Sequence, residues 1–157
     1  MKSKSSKELP IRVIQGSILD VDAQVIVNAA NSHGLMGGGV AGVIRRGAGF
    51  RVEDEAREQA PIEVGMAVLT SGGRTKFCGI IHAPTMPELA MRIPVSNVGA
   101  ATRAALALAD EEGFQSVAFP GLRTGVGKVS PEETAREMIR EIQQLVPLKP
   151  AYVSVTY

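Results

Sequence analysis

Between an apolar run and an amphipathic segment, the chain contains the sequence Asn28-Ala29-Ala30-Asn31-Ser32-His33-Gly34-Leu35-Met36-Gly37-Gly38-Gly39-Val40-Ala41-Gly42. The preceding residues, 23–27, are apolar apart from Gln24 and predict a strand that is covered on both faces. Residues 40–60 carry apolar side chains at roughly helical spacing and predict a helix. Because glycine lacks a Cβ atom and a helix N-terminus presents free N–H groups, this segment is predicted to hold a phosphate-bearing ligand.

The composition is that of a single globular domain. The chain has 157 residues, of which 45% are hydrophobic, as expected for a protein with a buried core. The net charge of +1 argues against a general nucleic-acid-binding surface. Aromatic residues make up only 4% and Trp is absent, so no base-stacking platform for single strands is expected. Cys78 is the single cysteine and can form no internal disulfide; neither a metal site nor a cofactor is predicted.

The sequence predicts no attachment to a membrane. No apolar run approaches the roughly 20 residues that a membrane-spanning helix needs. Residues 1–10 are rich in Lys and Ser with no apolar segment behind them, which predicts a short disordered tail and not a secretory signal. The folded domain is therefore expected over residues 11–157, in a cytoplasmic protein.

Six strands alternate with three helices in the predicted order of elements. The strands are expected at Ile11–Ile14, 23–27, 66–69, 79–83, 116–119 and 151–157, with Pro84 ending the fourth. The helices are expected at 40–60, interrupted near Gly47 and Gly49, from Ser96 to about Gly113, and from Ser130 to about Val146. This alternation predicts a largely parallel sheet covered on both faces. The loops after Val27 and after Phe119 then lie at one rim, at the carboxyl ends of their strands.

Local signals mark the ends of two of these helices. Ser96 is predicted to cap the second helix, and Gly113 is predicted to end it in a left-handed conformation. Ser130, Pro131 and Glu133 match a capping box at the start of the third helix.

Two common nucleotide-binding motifs fit the glycines poorly. Gly37, Gly39 and Gly42 match the spacing of a dinucleotide fingerprint. However, about nine residues separate Val27 from these glycines, and no acidic residue ends a following strand. No Gly-Lys-Ser/Thr follows the glycines either, which excludes a Walker A loop.

Two motifs instead make the chain resemble the macro domain, an ADP-ribose-binding module, in a small stand-alone archaeal or bacterial form. One is the Val-Asn-Ala-Ala-Asn run with its Gly-Gly-Gly-Val, in residues 23–42. The other is Ala-Phe-Pro followed by Thr-Gly-Val-Gly, in residues 118–127. The resemblance covers residues 11–157 and implies a three-layer α/β/α fold with a mixed, mostly parallel six-stranded sheet. It also implies that ADP-ribose lies in a cleft at one end of the sheet.

The resemblance implies a set of ligand-binding residues. Asn31 would hydrogen-bond the distal ribose, and the loop that starts at Gly37 would wrap the diphosphate. The second loop would hold the diphosphate from the other side through backbone N–H groups. The segment around Ser17 would lie at the adenine, and Tyr157 would stack on the adenine or simply finish the sheet. The full expected set is Gly16, Ser17, Ile18, Ala29, Asn31, Gly37, Gly38, Gly39, Val40, Ala41, Pro120, Thr124, Gly125, Val126, Gly127 and Tyr157.

Three positions depart from the family pattern. Ser17 stands where the family usually has an Asp that accepts from the adenine amino group, so a different base is an alternative. Ala41 stands where hydrolases of the MacroD type have Asp, which removes a catalytic route that depends on that carboxylate. Gly127 stands where many members have an aromatic residue near the distal ribose.

The remaining polar residues have plain structural interpretations. We expect Asn28 to be a structural buttress, His82 to be a hydrogen-bonded residue at the end of a strand, and Cys78 to be a packing residue. His33 is expected not to bind a metal, because the chain contains only one other histidine and no metal-ligand spacing.

The function expected from the sequence is binding of ADP-ribose, either free or attached to protein. The alternative is a hydrolase that removes ADP-ribose from acidic side chains or acts on ADP-ribose-1''-phosphate or O-acetyl-ADP-ribose. In that case Asn31 and Gly38 would act in catalysis, and a diphosphate oxygen would orient the attacking water. The partners expected are therefore ADP-ribose and ADP-ribosylated protein.

Overall fold

A six-stranded sheet forms the middle of the computed structural model, which describes residues 11–88, 93–122, 131–144 and 152–156. The strands are β1 (Ile11–Ile14), β2 (Val25–Asn31), β3 (Val68–Thr70), β4 (Gly79–Met86), β5 (Ser116–Pro120) and β6 (Tyr152–Thr156). Their order across the sheet is β1-β6-β5-β2-β4-β3. All neighbours are parallel except β3, which is antiparallel to β4. The expected mixed, mostly parallel sheet is confirmed.

In the described part of the chain, four helices cover the two faces of this sheet. They are α1 (Gly39–Ala48), α2 (Phe50–Glu58), α3 (Val95–Glu111) and α4 (Pro131–Gln144). The central strands send alternate side chains to opposite faces: Val25 and Val27 pack with α3 and α4, whereas Ile26 packs with α1 and α2. This alternation follows from the two-residue period of a strand. The expected three-layer α/β/α arrangement is therefore confirmed.

Several element boundaries differ from the sequence prediction. β2 begins two residues later than predicted and continues to Asn31, because Asn28 is buried and hydrogen-bonded within the sheet. β4 continues past Pro84 to Met86. Pro84 lies beyond the last residue that pairs with β3 and beside the register shift at Ala30 and Asn31. Edges and irregular pairings are where a sheet tolerates the missing N–H of proline.

Two of the predicted helices also differ in detail. The segment predicted as one helix is divided at Gly49, whose φ of +98° suits glycine, whereas Gly47 lies inside α1. Ser96 is not the cap of α3: Pro94 occupies that position and no side chain caps the helix. The predicted end of α3 is confirmed, because Gly113 has a φ of +81° and the N–H of Phe114 donates to the carbonyl of Ala109. Ser130 and the predicted tail, 1–10, lie outside the described residues.

A buried polar chain crosses from β2 to β3 through β4. The amide nitrogen of Asn28 lies 3.1 Å from Nδ1 of His82, and Nε2 of His82 lies 2.9 Å from the Thr70 hydroxyl. Since an amide N–H donates to Nδ1, the ring proton lies on Nε2 and is donated to Thr70. The structural roles expected for Asn28 and His82 agree with these contacts, although His82 lies within β4 and not at its end.

Burial lowers the pKa of His82 to about 4, and nearby Glu55 opposes this only in part. A second ring proton would also point at the Asn28 amide group, which is a donor.

None of the helices among the described residues has the length and hydropathy of a membrane span.

We predict that the fold loses stability as the pH falls from about 6.5 to about 4 because of His82. The unfolded state takes up a proton on this histidine in that range and the folded state does not, so the loss approaches about 3 kcal/mol. Urea denaturation at several pH values measures it. His82→Gln should flatten this part of the profile. An unchanged profile in His82→Gln would contradict the prediction.

Candidate functional site

The carboxyl ends of the parallel strands gather most of the predicted ligand-binding residues at one edge of the sheet. Gly16, Ser17 and Ile18 follow β1, whereas Ala29 and Asn31 belong to the last residues of β2. Pro120 ends β5, which is the neighbour of β2. The glycine-rich loop follows β2 and leads into α1. The predicted residues Thr124, Gly125, Val126, Gly127 and Tyr157 lie outside the described residues and stay predictions.

The start of α1 is an exposed helix N-terminus. Gly38 occupies the N-cap position, and no side chain caps the helix there. The first intrahelical contact is the N–H of Gly42 with the carbonyl of Gly38, at 3.0 Å. The N–H groups of Gly39, Val40 and Ala41 precede it and have no acceptor within the helix. Such groups, with the helix dipole, attract an anion.

The glycines of this loop leave room around the backbone. A Cβ atom built on Gly37, Gly38 or Gly39 would meet no atom within 4 Å. Gly39 has a φ of +58°, which a residue with a side chain adopts only with strain. A ligand can therefore approach this backbone closely, and its charge would be met by N–H groups without the help of a lysine.

Asn31 organises the loop that leads to these glycines. Its Oδ1 accepts from the N–H of His33 at 2.9 Å and from the N–H of Leu35 at 3.4 Å. Its Nδ2 donates to the carbonyl of Leu35 at 3.0 Å. Among the described residues, these contacts use one of the two amide hydrogens of Asn31.

Glu53 fixes the other end of the loop, and sequence reasoning missed it. Its side chain is 13% exposed. One carboxylate oxygen accepts from the N–H of Met36 at 2.6 Å, and the other accepts from Arg45 at 3.2 Å. No local motif signals this contact, because it depends on the break at Gly49 that sets α2 against the loop.

The segment after β1 packs against α1. Ile18 is buried in the cluster that also contains Ala41 and Met36. Ser17 is exposed, and its hydroxyl accepts from the N–H of Leu19 at 3.2 Å as the cap of a short 3-10 turn, Ile18–Asp20.

The remaining candidate residues are not arranged as a metal or nucleophile site. Nε2 of His33 lies 2.8 Å from a carboxylate oxygen of Glu88. Within the described parts of the chain, no three His, Cys, Asp or Glu side chains are grouped as metal ligands. Cys78 is exposed, so the expectation that it is a packing residue was wrong.

The fold and this edge define a class of protein: three-layer α/β/α domains with an uncapped, glycine-rich helix start at the carboxyl edge of the sheet. The family model described as Macro domain matches residues 27–138. The chain therefore belongs to the macro domain family, and the resemblance seen in the sequence is confirmed.

Relatives and a solved structure support this assignment. An uncharacterised protein of Aquifex aeolicus is 58% identical over 139 residues, which cover 88% of this chain and 84% of that protein. The ADP-ribose glycohydrolase MACROD1 of Mus musculus is 36% identical over 149 residues, which cover 91% of this chain and 46% of the mouse protein. A glycine-to-valine mutant of the Oceanobacillus iheyensis macrodomain, solved with ADPR, superposes with a TM-score of 0.85 at 26% identity. That superposition covers 99% of this chain and 88% of the other.

We predict that Glu53→Ala destabilises the fold by about 2 kcal/mol. The substitution removes the acceptor of the Met36 N–H and leaves the partly buried Arg45 without its carboxylate. Urea denaturation at neutral pH measures the change. Asp54→Ala, at the exposed neighbouring position on α2, is the matched control and should change stability by less than about 0.5 kcal/mol. Equal effects of the two substitutions would show that the loop does not depend on Glu53.

Proposed function

We propose that this protein binds ADP-ribose at the carboxyl edge of the sheet. The observation that carries the proposal is the uncapped start of α1, where three successive backbone N–H groups have no acceptor within the helix and a Cβ atom on Gly38 or Gly39 would meet no atom within 4 Å. A diphosphate is the part of ADP-ribose that such a site suits. Family membership and the related macrodomain solved with ADPR support the same ligand.

The arrangement of the edge suggests how the rest of the ligand lies. The other amide hydrogen of Asn31 would donate to the distal ribose, next to the diphosphate loop. Ser17 follows β1, next to Ile18, which packs in the same cluster as Ala41 of α1, and its hydroxyl can accept one hydrogen bond from a base. A hydroxyl makes a weaker acceptor than a carboxylate, so we expect the diphosphate and ribose to contribute most of the affinity.

We predict that Gly38→Glu weakens the binding of ADP-ribose at least about a hundredfold. A carboxylate in front of the α1 N–H groups would fill the cleft and repel the diphosphate. The fold should persist, because a Cβ atom at Gly38 meets nothing and its φ of −154° suits any residue. Calorimetric titration measures the affinity, with Ala107→Glu on the exposed side of α3 as a control of equal charge.

Parallel titrations with AMP, NAD and inosine-diphosphate-ribose compare the parts of the ligand. Similar affinities for the adenine and hypoxanthine compounds would agree with a weak base contact at Ser17. No binding of ADP-ribose to the unaltered protein would refute the proposal and favour the alternative of a different nucleotide.

A second candidate function is hydrolysis of ADP-ribosyl esters, including ADP-ribose attached to acidic side chains of proteins. The relative that favours it is the mouse glycohydrolase, at 36% identity. In this mechanism a bent diphosphate would hold a water against the distal ribose, with Asn31 fixing the sugar and the α1 N–H groups fixing the phosphates. Ala41 supplies no carboxylate, so turnover would depend on positioning alone.

We predict that any release of labelled ADP-ribose from a modified protein is slowed about a hundredfold by Asn31→Asp. The aspartate retains an acceptor for the N–H groups of His33 and Leu35 but loses the amide donor, both to the Leu35 carbonyl and to the ribose. Single-turnover release measures the rate, and a titration of the same variant measures binding. If the unaltered protein binds the ADP-ribosylated protein but releases no ADP-ribose from it, the binding function stands and the hydrolase is excluded.

A further inference from the structure

A cavity lies at the opposite edge of the sheet, where α1 ends and α2 begins. It has a volume of about 660 Å³ and is open to solvent. That volume falls in the range of small-molecule sites. The bare N-terminus of α1 lies at the other end of that ten-residue helix, about 15 Å away. The lining residues are Ala48, Gly49, Phe50, Arg51, Ser71, Gly72, Gly73 and Arg74.

The floor of this cavity is fixed by close backbone packing. The N–H of Arg74 donates to the carbonyl of Ala48 at 2.9 Å, which ties the β3–β4 loop to the end of α1. A Cβ atom at Gly73 would run into the Ala48 carbonyl, and one at Gly72 would run into the Phe77 carbonyl. The two glycines therefore permit a contact that any side chain would prevent.

Phe50 gives the cavity an exposed aromatic wall. Its side chain is 72% exposed, although Phe77 and Phe119 are buried. The guanidinium of Arg45 covers one face of the ring, 5.2 Å from its centre. Exposure of a phenylalanine is unfavourable in water and adds nothing to the core. The remaining ring surface is available to a flat partner.

Two arginines give the cavity a positive charge. Among the described residues, neither Arg51 nor Arg74 has a carboxylate within 4.0 Å. The acidic group nearby is Glu55, whose two oxygens accept from the N–H and hydroxyl of Ser71 at 2.8 Å each. The pKa of this carboxyl is lowered mainly by the Ser71 N–H and also by the charge of Arg51, so Glu55 offsets part of the positive charge of Arg51.

We propose that this cavity is a second binding site, for a small planar anion of the nucleoside monophosphate class. The base would stack on the open part of the Phe50 ring, and the phosphate would lie between the guanidinium groups of Arg51 and Arg74. A small molecule suits the cavity better than a nucleic acid strand, because the net charge of the whole chain is only +1. The site is independent of the ADP-ribose site proposed above.

The test uses AMP as the probe and NMR to separate the two edges. The Gly38→Glu protein is labelled with 15N and titrated with AMP, so that the cleft at the carboxyl edge is blocked. We expect saturable shifts of the backbone amide signals of Gly49, Phe50, Gly72 and Gly73. Adenosine and inorganic phosphate, titrated separately, should each bind at least about tenfold more weakly than AMP, because each makes only half of the contacts.

Variants identify the contacts. Phe50→Ala and Arg74→Gln should each weaken AMP binding at these amides about tenfold. Arg57→Gln, at an exposed arginine in the last turn of α2, is the matched control and should leave it unchanged. Thermal unfolding confirms that each variant is folded.

The proposal is overturned if the amides of the cavity do not shift saturably, if phosphate binds as tightly as AMP, or if folded Phe50→Ala and Arg74→Gln proteins bind AMP normally. Binding of ADP-ribose at the carboxyl edge is followed through different signals, the backbone amides of residues 37–41 in the unaltered protein. The two proposals can therefore fail separately.

Discussion

The structure depends on helix α1, whose first three backbone N–H groups have no acceptor within the helix. α1 contains three glycines within ten residues, and each glycine in a helix interior costs about 1 kcal/mol relative to alanine. Burial offsets this cost, because Ile44 and Ala48 pack against the sheet and a fully buried Ile side chain contributes about 2–3 kcal/mol. The second half of α1 is thus held in place by packing against the sheet. The N–H groups of Gly39 and Val40 need no cap to keep the helix folded, and they remain available for an anion.

The loop before this helix is positioned by polar contacts from two elements. Asn31, at the end of β2, binds the turn that follows it, and Glu53 of α2 binds the N–H of Met36. A backbone N–H held by a carboxylate is a charge-assisted hydrogen bond, which is stronger than a neutral one. The loop is therefore placed before any ligand arrives, and binding need not pay the full entropy of ordering it.

Much of the fold follows from local signals, whereas the contacts that hold the site do not. The apolar run that begins β2 and the glycine that ends α3 act through neighbours in sequence, so both were predictable. Pro84 was predicted to end β4, yet its place beyond the pairing with β3 is set by another strand. Glu53 reaches Met36 only because Gly49 divides the predicted helix. Parallel topology predicted that the glycine-rich loop lies at the carboxyl edge of the sheet. It did not predict Glu53, which holds that loop through the N–H of Met36.

The two edges of the α1–α2 layer offer an anion different hydrogen-bond donors. At the carboxyl edge the donors are backbone N–H groups of Gly39, Val40 and Ala41, which are fixed in direction and cannot change charge. At the opposite edge the donors are the side chains of Arg51 and Arg74, which carry full charges on flexible chains. Fixed dipoles favour a ligand of one shape, such as a bent diphosphate, because they cannot reorient. Guanidinium groups tolerate a wider range of anions, so selectivity at that edge would have to come from the ring of Phe50.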